Sequence, residues 1–98
     1  MISREFSKTC EDILRTLFQA KLPEGARVFL YGSRARGDAA WNADYDFWID
    51  CTVDRQIVQE IEEALEDSVV PFKIDMVTTD QLKGRFGEEV RKEARLWM

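Results

Sequence analysis

Phe6, Cys10, Ile13, Leu14, Leu17 and Phe18 recur at three- and four-residue intervals, and the pattern stops at Leu22-Pro23-Glu24-Gly25. That spacing predicts an amphipathic helix with Ser3 as its cap. Arg27 to Tyr31 is a short aromatic and β-branched run ending at Gly32, which reads as a strand delivering Gly32-Ser33 to its carboxyl end. Ser33 to Arg36 suits one short helical turn closed by Gly37. After a loop carrying Asp38, Trp41 and Asn42, the segment Asp44 to Cys51 alternates strictly. Tyr45, Phe47, Ile49 and Cys51 share one face, and Asp44, Asp46, Trp48 and Asp50 the other. Ile57, Val58, Ile61 and Leu65 mark a second amphipathic helix, which Val70-Pro71 ends ahead of a strand over Phe72 to Val77. In that strand Asp75 interrupts an apolar run. Thr79 is expected to cap Asp80-Gln81-Leu82, and Glu88 to Met98 to form a last helix with Val90, Ala94 and Trp97 inward.

The elements alternate α-β-α-β-α-β, which predicts a single α/β (α+β) domain over residues 1–98, with a small mixed three-stranded sheet and helices packed on it. No internal repeat, low-complexity stretch or linker interrupts the chain. At 98 residues, with 45% hydrophobic and 34% charged positions, it can fill a small core without a metal or disulfide staple. Cys10 and Cys51 are the two cysteines and histidine is absent, so zinc sites, Ser-His or Cys-His nucleophile pairs and an imidazole base are excluded. Carboxylates must carry any acid–base work. No apolar run approaches the roughly 20 residues that span a bilayer, and the first residues lack the apolar core of a secretory signal, so the cytoplasm is expected and a membrane is not.

Charge narrows the partners. Between Asp54 and Ser68 six acids stand against Arg55 alone, which accounts for the whole net charge of -5. This is the pattern of a solvated helix face. With no basic tract and a pI near 4.7, a nucleic-acid polymer is not the expected partner.

The chemistry concentrates in Gly32-Ser33 followed after ten residues by Asp44-Tyr45-Asp46. A glycine-serine corner presents a small hydroxyl and backbone amides to a polyphosphate, while carboxylates spaced i, i+2 on a strand point the same way and can share divalent metal. A lone DxD is weak evidence, since it commonly marks two solvated strand residues. Asp75 in a third apolar strand strengthens it, because like charges side by side are costly unless cations compensate them. If the second and third strands are neighbours, Asp44, Asp46 and Asp75 converge, and two magnesium ions about 3.5–4 Å apart could serve an in-line displacement. Tyr45 lies on the opposite parity and is expected in the core, Trp41 to plug the core from its loop, and Asp50 to be solvated or salt-bridged. For Arg34 and Arg36, phosphate contact and plain exposure both stand as readings.

Gly32-Ser33-x10-Asp44-x-Asp46, within Leu30-Tyr31-Gly32-Ser33-Arg34-Ala35-Arg36-Gly37, resembles the minimal nucleotidyltransferase (MNT) family of the DNA polymerase beta-like superfamily. The resemblance extends to Asp75 in Lys73-Ile74-Asp75-Met76-Val77. It implies a nucleotidyltransferase fold, with Gly32, Ser33 and Arg34 holding the triphosphate of ATP, and Asp44, Asp46 and Asp75 as catalytic residues and metal ligands for two Mg2+. Asp75 would also help to take a proton from the attacking hydroxyl. One departure is that Ala43 stands where many relatives carry Ser before the first carboxylate, removing a supporting hydrogen bond.

The resemblance further implies transfer of AMP from ATP to a protein acceptor brought by a partner chain, since no acceptor-presenting domain follows the motif. The expected partner is a HEPN-domain toxin in a hetero-oligomeric toxin–antitoxin pair. Two other readings remain: a non-catalytic antitoxin that neutralises a HEPN partner by complex formation, and a subunit of a small-molecule nucleotidyltransferase.

Overall fold

In a computed structural model, which describes residues 4–98, the first amphipathic pattern forms helix α1 (Arg4–Lys21). Ser3, its expected cap, lies outside the described residues. Cys10, Leu14 and Phe18 are fully buried, three positions on one stripe four residues apart. Helix α3 (Arg55–Glu66) buries Ile61 and Leu65 by the same logic. Its start is fixed by Asp54, whose carboxylate accepts the Gln56 amide N–H at 3.0 Å, a cap contributing about 1 kcal/mol. The acids Glu62, Glu63 and Glu66 stay exposed on α3, as a solvated face requires. Lys21 at the end of α1 meets Glu60 of α3 at 3.8 Å. These two helices and their flanking segments, up to Glu24 and Val53–Pro71, form one compact unit.

The second unit, Gly25–Thr52 with Phe72–Met98, holds the sheet. Strands β1 (Arg27–Tyr31), β2 (Tyr45–Asp50), β3 (Ile74–Thr78) and β4 (Arg95–Leu96) lie in the order β3-β2-β1-β4. β1 pairs antiparallel with β2 and β4, and β2 pairs parallel with β3. Between β1 and β2 sits α2 (Ser33–Arg36), closed by Gly37 in the left-handed conformation. β2 alternates as its sequence requires: Tyr45, Phe47 and Ile49 are buried, with Tyr45 edge-on to Phe72 at 5.3 Å and Phe47 against Trp97 at 4.8 Å. On the other parity Trp48 stacks on Phe29 at 4.7 Å, donates Nε1–H to Thr79 at 3.0 Å and lies 5.1 Å from the Arg91 guanidinium.

Two expectations are corrected here. The sheet has four strands rather than three, and the last helix, α4, spans Gly84–Glu93 rather than running from Glu88 to Met98. Val28 decides the matter. Its amide donates to the Met98 carbonyl at 2.7 Å and its carbonyl accepts from Trp97 at 2.8 Å, so the last residues become an edge strand instead of further helix. A smaller shift concerns the 3-10 turn Thr79–Gln81, which is capped by Thr78 and not by Thr79. The Thr78 amide donates to Gln81 Oε1 at 2.9 Å, the reach-back of a capping box. Among the described residues no helix is long and apolar enough to cross a membrane.

Candidate active site

The corner after β1 is built around a backbone that only glycine adopts readily. Gly32 has φ 76° and ψ -156°, and a Cβ placed there would lie 2.5 Å from Asp46 Oδ2. With no side chain at 32, the corner lies directly against the Asp46 carboxylate. The Gly32 carbonyl then accepts the amides of Ala35 (3.1 Å) and Arg36 (3.0 Å), and the Ser33 carbonyl accepts those of Gly37 (3.0 Å) and Asp38 (3.2 Å). Ser33 is thereby held half-buried at the first position of α2.

Strand register supplies the carboxylates. Asp46 of β2 is the direct partner of Asp75 in the parallel β2–β3 ladder, and of Tyr31 in the antiparallel β1–β2 ladder. Partners in register project to one face, so Tyr31, Asp46 and Asp75 form a row across three strands. The electrostatics follow from that row. Partial burial pushes the Asp46 carboxyl upward, the charges of Asp75, Asp44 and Glu93 add to the rise, and Lys73 opposes it. The Tyr31 hydroxyl is pushed up to about 12, first by burial and then by Asp46, Asp75 and Glu93. Lys73 Nζ lies 4.0 Å from Asp75 Oδ1, a largely exposed pair. Asp44, exposed and one residue ahead of β2, acts on Asp46 electrostatically. Among the described residues no three His, Cys, Asp or Glu side chains are gathered as a group that could hold a metal ion. Asp46 and Asp75 are adjacent by register, and Asp44 lies near enough to raise Asp46 without the three closing into such a group.

Arg34, for which the resemblance implies phosphate contact, is engaged here with the loop that follows α2. Its Nε and Nη2 both donate to the Ala43 carbonyl, at 3.1 and 2.8 Å, and Nη2 also donates to Trp41 at 3.2 Å. The guanidinium lies 4.0 Å from the Tyr45 ring centre and 5.0 Å from that of Phe72. It thus anchors the loop that delivers Asp44, acting at the very residue that carries no hydroxyl. Tyr45 is buried as expected, and Asp50 is salt-bridged to Arg27 at 2.6 Å. Trp41 does not plug the core: it is 58% exposed.

Glu93 is the functional candidate that periodicity missed. Its Oε2 accepts the Gly32 amide at 3.1 Å and its Oε1 accepts Arg36 Nη1 at 3.0 Å. Sixty-one residues separate Glu93 from Gly32, and no local pattern announces the contact.

The family model described as polymerase beta, nucleotidyltransferase matches residues 11–97. The chain belongs to that family. No curated protein matches it. Among solved structures, this nucleotidyltransferase is similar to a toxin–antitoxin crystallised with AMP-PNP, at 20% identity and TM-score 0.70, covering 89% of this chain and 72% of the other. It is also similar to a mutant of the toxin–antitoxin MntA–HpeT, at 18% identity and TM-score 0.69, over 89% and 72%. A third likeness is to a tri-AMPylated Shewanella oneidensis HEPN toxin in complex with MNT antitoxin, at 18% identity and TM-score 0.59, over 92% and 71%. At these identities the likeness establishes the nucleotidyltransferase fold.

The residues present fit a hard divalent cation. Adjacent carboxylates supply the oxygen donors that magnesium takes, and Asp46, raised first by burial and then by Asp75 and Asp44, is a carboxylate that a cation would favour in its charged form.

Proposed function

We propose that this chain is a magnesium-dependent nucleotidyltransferase that moves AMP from ATP to a protein hydroxyl, and that its acceptor is a HEPN-domain toxin which it silences as the antitoxin. The observation that carries the reading is the in-register pairing of Asp46 with Asp75, directly against the Gly32 corner. Family membership supports the reaction class. The partner class is drawn from the fold neighbours, which are toxin–antitoxin assemblies, one of them with an AMPylated HEPN toxin.

In this reading Gly32 and Ser33 hold the terminal phosphates through the backbone amides and the hydroxyl, and Asp44, Asp46 and Asp75 hold the metal. Bound there, magnesium supplies charge neutralisation on the triphosphate and on the pyrophosphate that leaves. The acceptor oxygen bonds to the α-phosphorus as the bond to the bridging oxygen of the β-phosphate breaks. Asp75 takes the acceptor's proton. Arg34 keeps the Trp41–Ala43 loop in place so that Asp44 meets the other two carboxylates. Asp44, already close enough to act on Asp46, completes the set when a cation offsets the like charges. Both cysteines are free thiols, which suits the reducing, ATP-rich cytoplasm assigned here.

The test uses ATP labelled on the α-phosphate, magnesium and a co-purified HEPN-class partner. Label on a partner hydroxyl is expected, lost in Asp46→Asn. A stable complex that never takes label refutes transfer and leaves neutralisation by binding; label found only on a small molecule refutes the protein acceptor.

A further inference from the structure

The anchoring of Glu93 differs from that of an ordinary surface carboxylate. It is the last residue of α4, its side chain 25% exposed, and its two oxygens are taken separately by two donors of one corner, the Gly32 amide and the Arg36 guanidinium. Arg36 is shared with Asp38 at 3.2 Å, and toward the sheet the Glu93 charge adds to the rise of both Asp46 and Tyr31, with Lys73 standing against Asp75. Glu93 therefore sits among negative charges and is retained by two donors whose geometry suits the oxygens of a phosphate equally well. A carboxylate bound this way is a stand-in for the anion that the corner would otherwise take.

We propose that Glu93 is an internal competitor for the phosphate-binding corner: its carboxylate engages Gly32 and Arg36 in the chain alone, and the terminal phosphates of a nucleoside triphosphate displace it. The inference rests on the reading of the Gly32-Ser33 corner as a triphosphate site and adds its regulation. Displacement requires a side-chain rotation alone, because the backbone around Glu93 is held on both sides. Val90 is buried, its carbonyl accepts the Ala94 amide at 2.9 Å, and the following β4 pairs with Phe29 and Leu30. Once released, Glu93 leaves the corner to phosphate oxygens, which stand beside Asp46 and Asp75 as further oxygen ligands for magnesium. Nucleotide and metal binding then favour each other.

Calorimetric titration with inorganic pyrophosphate, and separately with Mg-ATP, tests this on the wild type, Glu93→Gln and the control Glu89→Gln, an exposed acid on the same helix. If Glu93 blocks the corner for 80–90% of the time, its removal tightens pyrophosphate about five- to tenfold. Glu89→Gln is expected to change it less than twofold. Equal tightening in both variants makes the effect general electrostatics and overturns the proposal, as does no change in Glu93→Gln. Weaker Mg-ATP binding in Glu93→Gln with pyrophosphate unchanged makes Glu93 a metal ligand, which also overturns it. Thermal melts establish that each variant is folded. Pyrophosphate tightening without AMP transfer in the wild type would refute the proposed function and leave the competitor standing; transfer without tightening does the reverse.

Discussion

Replacing Gly32 by Ala perturbs the corner in two measurable ways. The backbone at φ 76°, ψ -156° lies in a region that residues with a Cβ avoid, at a cost of about 1–3 kcal/mol. The added methyl would also sit 2.5 Å from Asp46 Oδ2, so the carboxylate must withdraw by roughly 1 Å, at a further cost of about 0.5–1.5 kcal/mol in rotamer strain. The sum is about 1.5–4.5 kcal/mol, which for a chain of this size lowers the melting temperature by on the order of 7–22 °C. Gly37→Ala is the control. It too has positive φ, 85°, but its Cβ would meet nothing within 4 Å, so the backbone term of about 1–2 kcal/mol stands alone. Urea unfolding of both variants, followed by magnesium titration, reads the two contributions. Gly32→Ala should lose more stability than Gly37→Ala and should also bind magnesium more weakly, because Asp46 has been moved. Equal losses of stability with unchanged magnesium affinity would refute the close packing of Gly32 on Asp46.

Other consequences can be checked alongside. Asp46→Asn removes one of two like charges opposed in the β2–β3 ladder, so without magnesium it should raise stability by about 0.5 kcal/mol while abolishing AMP transfer; a melt with and without the metal reads both. Arg34→Lys keeps the charge but loses the planar fork that serves Ala43 and Trp41 and the stacking on Tyr45. A loss of about 1.5–3 kcal/mol is expected in urea unfolding, with faster amide exchange over residues 38–44. Trp97→Ala removes the ring packed on Phe47 and should cost about 2–3 kcal/mol, whereas Trp41→Ala, at an exposed loop position, should stay within about 0.5 kcal/mol of wild type.

The amphipathic helices, the strand β1 and the turn closed by Gly37 were legible in the chain because each depends on neighbours three or four residues away, or on alternation within one strand. The boundaries Arg27–Tyr31 and Ser33–Arg36 agree with the sequence reading residue for residue. The last helix failed for the complementary reason. Val90, Ala94 and Trp97 keep helical spacing, yet Trp97 and Met98 are drawn to the backbone of Val28, seventy residues away, where an edge of the sheet offers unpaired groups.

The candidate site divides along the same line. Sequence alone determined which residue types are available: a glycine-serine corner, two carboxylates of one strand parity and a third in a later strand, with no histidine to compete for the chemistry. Tertiary structure decided which of them meet. Parallel register put Asp75 beside Asp46, the corner turned Arg34 toward the Ala43 carbonyl, and the end of α4 brought Glu93 onto Gly32. Periodicity reports the face a side chain takes; it carries no information on the partner across a ladder or a loop, because that pairing is set by contacts between residues far apart in the chain.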